Sequence, residues 1–370
     1  MKILFLLNDL SSGGAERVTS TLANHWAHEG REVILVTMGR GKDFYELDPR
    51  ISRRRFDLSA PSRSLIAATV AGFRRVRAIR RLLRELKPDV AIAMMTSWNV
   101  ELALAAYGLP IGAIGSERIY PPSLPLGRRW QLLRRWLYGS LDAVVAQTDA
   151  TRGWLLKHTN AGKVPVIPNP VTAFDESPPA TFDQLPIKAP LLLAVGRLVE
   201  QKRFDRVIEA FAKNPGAFAG WHLAILGEGE LRQDLMRRAA NAGATDRVHF
   251  PGSSAEIGRW YQRADMFVLS SDFEGFPNAL LEALAHGVPS VAVDCPSGPA
   301  QIIDNHRNGL IVPLGDQEAL GQALVALARD PALRRRLGEA ARQDMAERYA
   351  TPRIAAQWEA VFALVKAERD

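Results

Sequence analysis

A single cysteine, Cys295, excludes any disulfide within the 370-residue chain, and with it the small secreted scaffolds that staple a thin core. The chain reads as a protein of a reducing compartment, with Cys295 a small buried residue after the strand-like SVAVD. Long apolar runs are missing too. The opening MKILFLL stops at Asn8-Asp9, too short for a secretory signal or a membrane span, and no later window reaches the roughly 18 uninterrupted apolar residues of a transmembrane helix. Any membrane contact is therefore expected to be peripheral. No D-x-D occurs, and none of the seven histidines stands at metal-site spacing with a second ligand, so neither a metal nor another cofactor is expected. G-x-G-x-x-G is absent as well, which leaves a dinucleotide site poorly supported.

What is present is a globular composition, 47% hydrophobic and 24% charged, at a length that suits two domains. Buried-strand runs (KILFLL, EVILVTM, DVAIAMM, IGAIGS, DAVVAQT) alternate with amphipathic stretches of about one helix each. Such alternation predicts a parallel sheet covered on both faces. It pauses in a proline-rich, aperiodic segment and restarts with LLLAVG, WHLAILG, DRVHFPG, DMFVLSS, SVAVD and GLIVPLG. The expectation is an α/β protein with two doubly wound, Rossmann-like domains at 1–172 and 190–348, joined by a linker at 173–189. A last helix at 350–370, with no strand after it, is expected to cross back to the first domain.

Ligands of doubly wound sheets sit beyond the carboxyl ends of the strands, so the loops there carry the candidate chemistry. After the first strand, Gly13 and Gly14 open a helix, either as a close approach of backbone to a ligand or as a plain tight turn. The second domain begins with VGRLVEQKRFD, where Arg197 and Lys202 bracket a short loop and would suit a diphosphate. EGFPNALLE, residues 274 to 282, then places Pro277 at the expected first position of a helix. The N–H groups of Asn278, Ala279 and Leu280 that follow suit a phosphate. Helical side chains lean toward the N-terminus, so Glu282 can reach back to ribose hydroxyls, while Glu274 precedes the helix and can meet a group beyond the phosphates. The plainer alternative is that Glu282 complements the helix dipole and Glu274 is solvated.

In these motifs the chain resembles the retaining family 4 glycosyltransferases of GT-B fold, whose two domains face a cleft. EGFPNALLE resembles their E-x7-E motif, GRLVEQKRFD their diphosphate loop, and SGPAQII the segment that follows. The resemblance implies that Arg197 and Lys202 bind the diphosphate of a UDP-sugar, Glu282 the ribose and Glu274 the donor sugar, with Gly14 approaching from the first domain. Glu228 and Gly252, in the loops after WHLAILG and DRVHF, join Asn278, Ala279 and Leu280 in the expected donor site. One departure concerns the first domain. Where many members carry a histidine near the donor sugar, this chain reads GSERIYP, so that Glu117 is expected either to act in the cleft or to pair with Arg118. GGAERV together with SER resembles bacterial enzymes that build polyprenyl-diphosphate-linked oligosaccharides, N-acetylgalactosaminyltransferases among them.

The net charge of +7 is compatible with nucleic acid, an anionic membrane or phosphate-rich substrates, and its distribution decides between them. RSLIAATVAGFRRVRAIRRLLRELKPD predicts a basic amphipathic helix over 64–87. Leu65, Gly72, Val76, Ile79, Leu83 and Leu86 form its apolar stripe, and Arg74, Arg77, Arg81 and Arg84, with Arg75 beside them, are placed to meet a lipid-linked diphosphate. LGRRWQLLRRWLYG adds Arg128, Arg129, Arg134 and Arg135 beside Trp130 and Trp136, the mixture of a membrane interface. No nucleic-acid motif is recognisable. The expected partners are therefore a UDP-sugar, a polyprenyl-diphosphate-linked saccharide and an anionic membrane surface at the cytoplasmic face. A nucleotide-sugar 2-epimerase of the same architecture and a non-catalytic membrane-binding scaffold are the competing readings.

Overall fold

The computed structural model of the chain describes residues 1–39, 43–56, 65–171 and 189–369, with residues 65–68 described by their backbone alone. The expected linker at 173–189 lies almost wholly outside these residues. Two compact units form, Met1–Pro170 with Thr351–Asp370, and Val171–Ala350.

The first unit is built on six strands: β1 (Lys2–Leu7), β2 (Glu32–Thr37), β3 (Ser52–Arg55), β4 (Val90–Met94), β5 (Gly112–Ser116) and β6 (Ala143–Val145). They pair in parallel in the order β3-β2-β1-β4-β5-β6. Helices cover both faces, which is why β4, β5 and β6 are buried along their whole length and read as continuous apolar or small-residue runs. β3 was not expected. Its sequence, SRRR, carries no apolar pattern because it is an edge strand bonded only to β2, and Arg53 and Arg55 turn outward to Asp43.

The closing helix, Thr351–Ala367, belongs to this unit. It buries Ile354, Trp358 and Phe362 against the Gly14–His28 helix, where the Phe362 and Trp26 rings lie 5.3 Å apart. Truncating such a ring to alanine costs about 3 to 5 kcal/mol, so the segment is a fixed part of the core.

In the second unit, β7 (Leu191–Val195), β8 (His222–Leu226), β9 (Val248–Gly252), β10 (Met266–Leu269), β11 (Ser290–Asp294) and β12 (Leu310–Pro313) form a sheet of order β12-β11-β10-β7-β8-β9. All its strand pairs are parallel. The chain runs outward from β7 through β8 to β9 and then returns to place β10 on β7's other side. The loops leaving β7 and β10 thus diverge at a topological switch point, the place where this architecture takes ligands. In the first unit the corresponding point lies between β1 and β4. Among the described helices none is long and apolar enough to cross a membrane.

Candidate active site

The loop after β7 is stitched to the loop after β10. Gln201 Nε2 donates to the Phe273 carbonyl at 2.6 Å, Asp272 N–H to the Gln201 carbonyl at 2.9 Å, and Ser270 Oγ to the Lys202 carbonyl at 2.7 Å. Arg203 and Arg206 both reach Asp272. The loop after β8 closes from the other side, with Leu198 N–H donating to the Glu228 carbonyl at 2.9 Å. There Gly227 has φ +138, and a Cβ on it would stand 2.0 Å from the Gly196 carbonyl oxygen, so no larger residue fits without moving the loop after β7. Gly227 N–H in turn bonds the carbonyl of Gly252, which ends β9 beside the Glu228 carboxylate. Arg197, Lys202, Glu228, Gly252 and Glu274 are thereby gathered by four loops at one sheet edge.

Within this cluster Lys202 Nζ bonds Glu274 Oε1 at 2.5 Å, and Ser271 Oγ donates to the same oxygen at 2.6 Å. Glu274 is only 8% exposed. Two opposite charges held this close and this far from water are strongly coupled, because neither can be removed without stranding the other. Arg197 lies on the same loop with its side chain exposed. A fixed, half-buried lysine with an exposed arginine beside it is a suitable seat for a diphosphate.

Glu274 is held by backbone as well, donating from N–H to the Pro296 carbonyl at 2.8 Å and accepting from Ser297 N–H at 3.0 Å. The helix that follows is Asn278–Ala285. Pro277 is its N-cap and not its first residue, a correction of one position: with φ −74 and ψ 97 it is extended, and its carbonyl accepts the first intrahelical bond, from Leu281 N–H at 3.1 Å. Asn278, Ala279 and Leu280 precede that bond, so the shift leaves their N–H groups at the positive end of the helix. Glu282 sits one turn inside, where Tyr261 OH donates to Oε2 at 3.1 Å, and the Tyr261 ring packs on His286 with centroids 5.3 Å apart. Nothing in the sequence marks Tyr261, since it comes from a helix 21 positions upstream with no local motif.

In the first unit, Gly14 is the first residue of the Gly14–His28 helix, and the Glu16 carboxylate folds back over Gly13, where a Cβ would lie 2.0 Å from it. Glu117 follows β5 and does not pair with Arg118. Its carboxylate accepts from Thr96 Oγ1 at 2.5 Å and from Tyr138 OH at 2.6 Å, while Arg118 reaches Asn169 Oδ1 at 2.5 Å. Burial pushes the Glu117 carboxyl above the usual carboxylate range, against the opposing pull of Thr96, Tyr138 and the Arg134 charge. Burial also lowers Arg118 to about 10, with Glu16 acting against it.

The basic helix is Leu65–Leu86; position 64 and the Leu65 side chain lie outside the described residues. Arg74, Arg77, Arg81 and Arg84 are all exposed on it, while Ile79 and Leu83 are buried. Arg75 differs from its neighbours because it is committed to the buried Glu101, at 2.8 Å. The second basic segment folds as the helix Arg128–Leu137, exposing Leu132, Leu133 and Trp136 together with Arg128, Arg129 and Arg135. Arg134 turns inward, 3% exposed, with its guanidinium over the Trp154 ring at 4.3 Å, and so does not belong to that surface. Among the described residues no group of three metal-ligating side chains occurs.

Comparison with known proteins bears on the family and the fold. The model of group 1 glycosyl transferases matches residues 180–344, and that of glycosyltransferase family 4 matches residues 12–174. An exopolysaccharide phosphotransferase of Streptomyces coelicolor is 32% identical across the whole chain, which spans 41% of that relative's length. A lipopolysaccharide core biosynthesis glycosyltransferase of Rhizobium meliloti is 30% identical over 88% of the chain and 89% of its own length. An α-1,4-N-acetyl-D-galactosaminyltransferase of Campylobacter jejuni, named for an undecaprenol-linked diphosphate saccharide, is 29% identical over 99% of both chains. Among solved structures, Anabaena HepE in complex with UDP and glucose superposes with a TM-score of 0.80 at 18% identity, covering 98% of this chain and 100% of that one. Two parallel doubly wound sheets, one carrying the stitched Lys202–Glu274 loops and the other matched by the second family model, make this chain a member of the group 1 and family 4 glycosyltransferases with their GT-B fold.

Proposed function

We propose that the protein moves a sugar, an N-acetylgalactosamine or related hexose, from a UDP-sugar to a polyprenyl-diphosphate-linked saccharide at the cytoplasmic face of the membrane, with retention and without a metal. The observation that carries the reading is the coupled Lys202–Glu274 pair at the mouth of the Asn278–Ala285 helix, with Arg197 exposed beside it. Breaking the bond between the anomeric carbon and UDP leaves an oxocarbenium-like centre and a leaving group that gains negative charge. Arg197, Lys202 and the N–H groups of Asn278 to Leu280 meet that charge with donors already in position, and Glu282, held by Tyr261, takes the ribose. As the diphosphate draws on Lys202, Glu274 is left to face the sugar. The acceptor hydroxyl attacks on the side the diphosphate leaves, and a phosphate oxygen takes its proton.

On the acceptor side, the exposed stripe Arg74, Arg77, Arg81 and Arg84 suits a lipid-linked diphosphate, and the apolar and basic face of Arg128–Leu137 suits an anionic bilayer. The Campylobacter relative's name, with its undecaprenol-linked diphosphate saccharide, and the UDP bound to Anabaena HepE support the same substrates. Alanine at Arg197 or at Lys202 is expected to lower turnover roughly 100-fold or more, with a smaller loss of UDP affinity by calorimetry. Near wild-type turnover in both variants would remove the diphosphate assignment.

A further inference from the structure

Glu101, a buried acid of the first unit, has no part in the chemistry above. It is the only charged residue of the helix Thr96–Ala106, TSWNVELALAA, and is buried together with Val100, Leu102 and Ala103. Burial pushes its carboxyl above the usual carboxylate range, with Arg75 opposing that shift. Arg75 Nε donates to Glu101 Oε1 at 2.8 Å, while Oε2 is buried with no hydrogen-bond partner among the described residues. The two side chains keep 19% and 5% of their exposure. An ion pair this far from water, with one oxygen unsatisfied, is a poor stabiliser, and apolar residues of similar volume often do as well or better. Stability alone therefore does not account for it.

The pair does bear on how the neighbouring helix is aimed. At about 100° per residue, Leu82, Arg75, Leu86, Ile79, Leu83 and Val76 share one arc of about 120° on Leu65–Leu86, the face turned to the core. Arg74, Arg77, Arg81 and Arg84 share an arc of about 80° centred on the opposite side, and all four are exposed. Arg75 thus sits inside the buried face. Arg80 stands at its border and donates from Nη1 to the carbonyls of Ala105 at 2.8 Å and Tyr107 at 2.7 Å, at the negative end of the Thr96–Ala106 helix. Residue 75 meets 101 and residue 80 meets 105 and 107, separations of 26, 25 and 27, so both arginines hold one register. At the other end of that helix Thr96 Oγ1 bonds Glu117 at 2.5 Å, which ties its start to the loop after β5. Leucine and valine pack at neighbouring angles with little loss, whereas a buried polar pair has one angle at which both partners meet.

We propose that Glu101 is a positioning residue: acting through Arg75, and together with the Arg80 bonds, it fixes the rotation and register at which Arg74, Arg77, Arg81 and Arg84 stand as one outward row for a diphosphate. A diphosphate meets successive guanidinium forks only where they project on the same side. Turning the helix by one residue step, about 100°, would swing that row from opposite the core to its flank and bury part of it. The inference rests on reading the row as the seat of a lipid-linked diphosphate, and it adds a residue that itself touches no substrate.

The test uses the full chain without bilayer, geranyl diphosphate as a soluble probe, calorimetry and thermal melts. Glu101→Gln leaves Arg75 buried without its carboxylate and should lower the melting temperature. The double variant Arg75→Met with Glu101→Leu replaces the pair by an apolar contact, and its melting temperature and UDP affinity should equal or exceed those of the wild type. Its affinity for geranyl diphosphate should nevertheless fall about tenfold or more, the loss of one charge-assisted contact, and KM for a lipid-linked acceptor should rise in step while kcat stays within about twofold. Wild-type probe affinity in the double variant would make the pair purely structural and overturn the proposal, as would a loss of affinity confined to variants that are also less stable. Failure of the underlying reading looks different: the wild type would not bind the probe, or the variant with Gln at Arg74, Arg77, Arg81 and Arg84 would bind it as well as the wild type, and the proposal would fall with that reading.

Discussion

Exchanging Lys202 for methionine removes the charge beside Glu274 while keeping most of the side chain's bulk. Lys202 and Glu274 retain only 16% and 10% of their side-chain exposure, so the carboxylate left behind keeps, among the described residues, Ser271 as its side-chain partner and little water. Breaking a buried pair from one side costs about 3 to 5 kcal/mol, and the lower figure applies because some exposure remains. For a unit of this size each kcal/mol moves the midpoint by about 2 to 4 °C, so Lys202→Met should lower the second unit's melting temperature by about 6 to 12 °C. Adding Glu274→Gln removes the stranded charge and should restore most of that loss. Turnover should not return with it, since the double variant has neither the diphosphate donor nor the carboxylate. The assay is a double-mutant cycle read twice, by thermal unfolding and by release of UDP in the presence of acceptor. Equal melting temperatures for wild type and Lys202→Met, or recovery of turnover in the double variant, would refute the argument that one buried pair serves both stability and transfer.

Tyr261→Phe should weaken UDP binding modestly and Glu282→Ala more strongly, whereas Glu274→Ala should leave UDP binding largely intact and lower transfer; calorimetry showing the reverse would exchange the roles of the two acids. Replacing Arg74, Arg77, Arg81 and Arg84 by Gln should weaken binding to anionic liposomes and abolish transfer to a lipid-linked acceptor with UDP affinity unchanged, and a normal rate would reduce that helix to scaffold. His222 and His249 share a bond of 2.8 Å between ring nitrogens, and both lie below the ordinary histidine value: burial, then Arg247 and Arg263, lower His222, and burial, then His222, lower His249. The folded state therefore disfavours their protonation, so stability is full above about pH 6.5 and is lost as the pH falls through the lowered folded values; His249→Gln should flatten that acid slope in thermal melts, and an unchanged slope would assign it elsewhere.

Much of this molecule could be read from its residues because its signals are local. The strand runs of the second unit are bounded by turns, those of β7, β8, β10 and β11 are largely buried, and all six became strands. GRLVEQKRFD and EGFPNALLE each lie within one strand-loop-helix passage, so spacing along the chain translates directly into position at the sheet edge. What escaped notice depends on pairing between distant segments. β3 is an edge strand of polar residues whose only backbone reason to exist is β2. Tyr261 and Ser271 are defined by the carboxylates they touch, and Thr96 and Tyr138 by Glu117, across separations no motif records. Arg134 looked like part of a basic surface because charge and spacing are visible in sequence, while the Trp154 ring that draws it inward is not. Pro277 fell one position from its expected place because a proline suits both the cap and the first turn, and only the carbonyl bond to Leu281 separates the two.

The transfer itself can be followed most directly by NMR of a UDP-α-sugar incubated with a polyprenyl-diphosphate-linked saccharide and EDTA. The account predicts that UDP appears only when the acceptor is present, that the sugar moves to the acceptor, and that the new glycosidic bond keeps the donor's anomeric configuration. Consumption of the donor without acceptor, to free sugar or to its 2-epimer, an inverted linkage, or a dependence on added magnesium or manganese would contradict it.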